Sequence, residues 1–89
     1  MKKIFKYKLE TVGLQEIETP EDAQVLSVQG QHGFLYLWAL VDPDKPKEKK
    51  RILLAGTGHP IPEDRNLKFI GTVQEFEGDL VWHLFEEKK

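Results

Sequence analysis

Phe34-Leu-Tyr-Leu-Trp-Ala-Leu-Val41 is apolar at every position and is closed on both sides by turn residues, Gly30-Gln31-His32-Gly33 before it and Asp42-Pro43-Asp44-Lys45-Pro46 after it. A half-exposed strand carries a polar residue at every second position, so a short run that is apolar on both faces predicts a strand covered on both sides. The reading puts this strand at the centre of a sheet, with Trp38 in the core. Val25–Gln29 is rich in β-formers and precedes the turn, which makes 25–41 the clearest hairpin in the chain. A core of this kind must fit within 89 residues, the length of one small domain, which buries about 60–65% of its unfolded surface. With 39% apolar residues, two Trp, two Tyr and five Phe, the chain has the material for one core, and a charged share of 31% is an ordinary solvated surface.

The other apolar runs are equally short, and none holds a 3.6-residue period over ten or more positions. Ile4–Leu9 alternates Phe5, Tyr7 and Leu9 with Lys6 and Lys8, the pattern of a strand with one wet face. Glu10–Asp22 holds five acids and no base, with Pro20 inside it, and predicts a short extended piece at Leu14–Ile17 followed by a turn at Thr19–Asp22. Prolines 43 and 46 end the central strand, and the basic stretch Lys45–Arg51 reads as an exposed loop before a strand at Ile52–Ala55. Leu67–Phe76 is the fifth strand, with Gly71 as a bulge or close-approach site, and Glu77-Gly78-Asp79 turns the chain into a sixth at Leu80–Phe85. The tail from Glu86 is expected to fray. The fold class is therefore all-β: a single domain over 1–89, an antiparallel meander closing into a small barrel or sandwich with little helix.

Gly56-Thr57-Gly58-His59-Pro60 is the most unusual local feature. Two glycines can leave consecutive N–H groups open as an anion nest, with Thr57 and His59 as side-chain donors and Arg65 as the nearest guanidinium. Thr57, Gly58, His59 and Arg65 are accordingly the candidate ligand-binding residues. The competing explanation is a strand exit that uses glycine for geometry and proline for rigidity. Neither a phosphate loop ending in Lys-Ser/Thr nor a three-glycine dinucleotide fingerprint is present.

Chemistry of other kinds finds little support. Cysteine is absent, and His32, His59 and His83 lack ligand spacing, so no metal or other cofactor is expected. His83 reads as an outward strand residue opposite the Trp82 face. Ser27 lies mid-strand, and the adjacent Glu63 and Asp64 read as a solvated turn, so no catalytic residues are assigned and no enzyme is expected. Two basic clusters, Lys2/Lys3/Lys6/Lys8 and Lys45/Lys47/Lys49/Lys50/Arg51, together with Phe5, Tyr7 or Tyr36, offer the ingredients of an oligonucleotide surface. A net charge of −2 and the acidic run argue against nucleic acid as the partner. The chain shows no transmembrane span, and its start lacks the apolar segment of a signal peptide, which predicts a cytoplasmic protein without a membrane partner. A second copy covering the other face of Phe34–Val41 predicts a homo-oligomer.

Leu26-Ser-Val-Gln29, Leu37-Trp-Ala-Leu-Val-Asp-Pro43, Gly56-Thr-Gly-His-Pro-Ile-Pro62, Phe69-Ile-Gly-Thr-Val-Gln74 and Val81-Trp-His-Leu-Phe85 together resemble a family of small proteins encoded by bacteriophages and prophages, over nearly the whole chain. That family carries a domain of unknown function, so the resemblance implies a phage origin and the bacterial host cytosol, with no catalytic residues to transfer. By analogy with small accessory phage proteins, it implies binding that counters a host process. The expected ligand is a small nucleotide-type anion; the alternatives are a host protein inhibited by direct contact and a structural role in the phage.

Overall fold

The computed structural model describes residues 1–88. Its seven strands are β1 (Lys3–Lys8), β2 (Gly13–Pro20), β3 (Gln24–Gln31), β4 (Phe34–Val41), β5 (Lys47–Gly56), β6 (Leu67–Glu75) and β7 (Leu80–Glu87), with one 3₁₀ turn at Phe76–Gly78. They form two antiparallel sheets, one ordered β1-β4-β3 and the other β2-β5-β7-β6. The all-β sandwich expected from the turn spacing is what the chain builds. The strands do not follow one another as a meander, however: only the β3–β4 and β6–β7 hairpins join neighbours, and the chain passes between sheets after β1, β2 and β4.

The β3–β4 hairpin turns on His32 and Gly33, both at positive φ (54° and 83°), the backbone of a tight two-residue turn matched to strand twist. β4 is the central strand of its sheet as predicted, flanked by β1 and β3. Its two faces are not equally covered. Leu35, Leu37, Ala39 and Val41 are buried, whereas Phe34 is exposed and Tyr36, Trp38 and Leu40 are half-buried. Trp38 thus lies on the outer side, because the second sheet packs on one face of β4 alone.

The core lies between the sheets. Leu37, Ala39 and Val41 meet Ile52, Leu54 and Leu84, with Phe5, Tyr7, Ile17 and Trp82 packed at its margin. Bulges at Leu26 in β3 and Ile70 in β6 let both Val25 and Val28, and both Ile70 and Val73, reach that core. Gly71 adjoins the bulge, one of the two roles foreseen for it; a Cβ there would make an ordinary contact of 3.5 Å with Val28 Cγ1 on the facing sheet.

Three segments differ from expectation, for one electrostatic reason. The acidic run forms a full strand through Pro20, and the basic stretch forms the first half of β5 rather than a loop, because the two pair. Glu16 stands opposite Arg51 and Glu18 opposite Lys49, so each strand neutralises the other. The tail does not fray before Glu87, since the buried Glu86 carboxylate accepts from Lys50 Nζ at 2.7 Å. Asp42–Pro46 is the predicted turn: Asp42 Oδ1 accepts from Asp44 N at 3.1 Å, and Lys45 Nζ meets Asp22 at 3.0 Å. That contact raises the Lys45 pKa above its ordinary 10.5.

Candidate functional site

The outer face of β1-β4-β3 follows from three alternation patterns in register. β4 contributes Phe34, Tyr36 and Trp38 as a row of aromatic rings. β1 places Lys6 opposite Trp38 and Lys8 opposite Tyr36, and β3 places Ser27, Gln29 and Gln31 opposite Trp38, Tyr36 and Phe34. The result is a lysine row, an aromatic row and an amide row running side by side. No acid stands in the outward register positions of the three strands.

The lysines lie over the rings. Lys8 Nζ is 3.9 Å from the centroid of Phe34, Lys6 Nζ is 4.5 Å from that of Tyr36, and Lys6 donates across the sheet to Gln31 Oε1 at 2.7 Å. Tyr36 and Trp38 meet edge to face with centroids 6.0 Å apart. Among the described residues neither Lys6 nor Lys8 has a carboxylate partner. Cation–π contacts at exposed sites are worth about 0.5–1 kcal/mol, so these ammonium groups are held lightly and can turn to a stronger anion.

The four residues singled out from sequence are not assembled at one place. Thr57, Gly58 and His59 share the exposed exit of β5, whose amides are largely used internally. Gly56 N–H donates to His59 Nδ1 at 3.0 Å, Thr57 N–H to Val81 O at 3.2 Å, and His59 N–H to Gly56 O at 3.0 Å. The His59 ring packs so closely on Gly56 that a Cβ there would meet it at 2.9 Å, and Gly58 sits at φ 92°. Both glycines therefore serve the loop's own geometry. Arg65 lies at the far end of β7, its guanidinium 2.6 Å from Glu87, whereas the loop exit is paired with Trp82. Five residues of strand separate the two, about 17 Å.

His83 faces outward as predicted, with Thr57 Oγ1 2.8 Å from Nε2 and Thr72 Oγ1 2.9 Å from Nδ1. Both ring nitrogens are occupied by hydroxyls and neither by a carboxylate, so the imidazole lacks the orienting acid of a nucleophile-activating triad. A third place, a cleft of about 420 Å³ at one end of the sandwich, is lined by Lys50, Lys68, Glu48 and Glu86 among others. Its charges pair internally: Glu86 takes Lys50 at 2.7 Å and Lys88 at 3.5 Å.

Sequence reasoning named Phe5, Tyr7 and Tyr36 as stacking residues. Phe5 and Tyr7 face the core, and Tyr36 faces outward with Phe34 and Trp38. In an all-apolar strand no polar alternation marks which face is dry. The signal lay next door, in the Lys6/Lys8 alternation of β1, once the register with β4 is known.

Among the described residues no helix is long and apolar enough to cross a membrane. No curated protein and no solved structure matches the chain. A family model described as a domain of unknown function, DUF7352, matches residues 1–89, and the chain belongs to that family.

Proposed function

We propose that this chain is a non-enzymatic, phage-encoded accessory protein of the bacterial cytosol that captures a nucleotide-type anion on the outer face of β1-β4-β3. The observation that carries the reading is the row Phe34, Tyr36, Trp38 lined by Lys6 and Lys8, with no acid at the outward strand positions. Aromatic rings hold a planar base by stacking, and ammonium groups at their edge hold its phosphate. A purely apolar partner would strand the lysines without water or counter-charge. The resemblance to phage and prophage proteins supports a role in which capture withdraws a nucleotide signal from a host defence.

Calorimetric titration with mono-, di- and cyclic nucleotides tests this, using the wild type, Tyr36→Ala and Arg65→Ala. Binding by the wild type and Arg65→Ala, weakened at least fivefold in Tyr36→Ala, is the expected result. No binding by the wild type overturns the reading. Loss in Arg65→Ala with Tyr36→Ala intact moves the site to the Glu87 corner.

A further inference from the structure

The face has the dimensions of a chain of bases rather than of one. Phe34, Tyr36 and Trp38 are successive outward positions of a single strand, so they repeat at about 6.8 Å. Lys6 and Lys8 repeat at the same interval on one side, and Ser27, Gln29 and Gln31 stand on the other. An unstacked single strand spaces its phosphates at about twice the 3.4 Å rise of a stacked one. One nucleotide would cover one ring and leave the rest of the pattern without purpose.

We infer that this face binds single-stranded nucleic acid, with successive bases on Phe34, Tyr36 and Trp38, phosphates along Lys6 and Lys8, and base edges toward Ser27, Gln29 and Gln31. The inference rests on the preceding reading of the same face and extends its ligand from a nucleotide to a strand. The acidic run is largely turned away from this face: Glu16 and Glu18 sit in the other sheet, opposite Arg51 and Lys49, and Asp22 meets Lys45 at 3.0 Å, whereas Glu10 stands at the rim beside Phe34. In the unbound protein Lys6 reaches over Tyr36 to Gln31. An arriving base displaces that tether, exchanging a light cation–π contact for stacking and releasing the ammonium to the phosphate. Amides, which both donate and accept, read base edges without demanding one base, so sequence preference is weak. With two lysines on the phosphates the salt dependence is shallow, a slope of log K against log salt of about −1.4.

The test is Trp38 fluorescence together with anisotropy of a labelled oligothymidylate of about ten nucleotides, a length that spans a typical single-strand site. Competitors are the same length of duplex, thymidine monophosphate and heparin. The expected result is displacement by single strand at least tenfold better than by duplex, heparin or the mononucleotide, with Trp38→Ala weakening binding at least fivefold. The double variant Lys6→Gln/Lys8→Gln, at exposed positions that leave folding intact, should abolish most of the salt slope. Equal competition by heparin or duplex overturns the inference, since charge alone would explain it. Mononucleotide binding as tight as the oligomer overturns the strand and keeps nucleotide capture, whereas no binding by either removes both. Sedimentation of a dimer whose Trp38 is shielded from quencher also removes both, in favour of a second copy.

Discussion

The two outward faces of this sandwich both carry basic side chains and leave them in opposite conditions. On β2-β5-β7-β6 most basic side chains face acids: Glu16 opposes Arg51, Glu18 opposes Lys49, and Glu87 takes Arg51 at 3.4 Å and Arg65 at 2.6 Å. On β1-β4-β3 the lysines have aromatic rings beneath them and no carboxylate beside them. A net charge of −2 is the average of one face at rest and one that is not. Bulk charge therefore says little about the partner of a small β domain, because strand register decides which charges are left over.

The comparison breaks first on β4, where adjacent residues serve opposite faces. Leu37 is fully buried, and Leu37→Ala should cost about 2–5 kcal/mol, read as a shift in denaturant midpoint. Trp38→Ala should cost about 1–2 kcal/mol, the scale of an aromatic pair with partial burial. Equal losses would make the outer face a second core. On the other sheet, Glu87→Gln removes the carboxylate that both arginines contact and should cost about 1 kcal/mol at low salt, shrinking toward zero in molar salt. A loss that salt does not touch would mean that this face is held by packing instead.

The smallest effect sharpens the division across β1. The Tyr7 hydroxyl is buried and, among the described residues, finds no hydrogen-bond partner, and desolvation raises its pKa above the ordinary 10.0. Because the folded value is the higher one, the Tyr7 contribution to stability is whole below pH 10.0 and is lost as pH rises through the folded value. Tyr7→Phe should be neutral or stabilising by up to about 1 kcal/mol at neutral pH. Melts near pH 8 and pH 11, about either side of the usual tyrosine value, should show a smaller alkaline loss in Tyr7→Phe than in the wild type. An unchanged alkaline loss would place the hydroxyl in water.

Strand identity was readable where one residue class dominates a short run bounded by turns, as in Phe34–Val41, Leu67–Glu75 and the His32-Gly33 hairpin. It fell short for β2, of which only Leu14–Ile17 read as extended, and failed for the first half of β5, where like charges in sequence imitate a loop and become strands only by facing each other. That pairing joins residues as far apart in the chain as Glu16 and Arg51, and no local pattern reports it. The same gap hid the aromatic face. Alternation in β1 told which side of β1 was wet, and nothing in β4 told which side lay beside it until the register set Lys6 against Trp38. Glu86 was missed for a related reason: a carboxylate in a charged tail reads as solvent-facing unless the half-buried Lys50 is known to stand beside it.

The position of β7 has a consequence for how the protein is made. It is the last strand in chain order, yet it lies inside its sheet, hydrogen-bonded to β5 on one side and β6 on the other. A nascent chain that has emerged only as far as Gly78 holds the β2–β5 pair and a solitary β6 with nothing between them. The larger sheet cannot be completed by the ribosome strand by strand; it must wait for Leu80–Glu87 and then close in one late insertion. Such distant pairings fold slowly, and until that insertion two apolar strand edges stand open to a chaperone or to a neighbouring nascent chain.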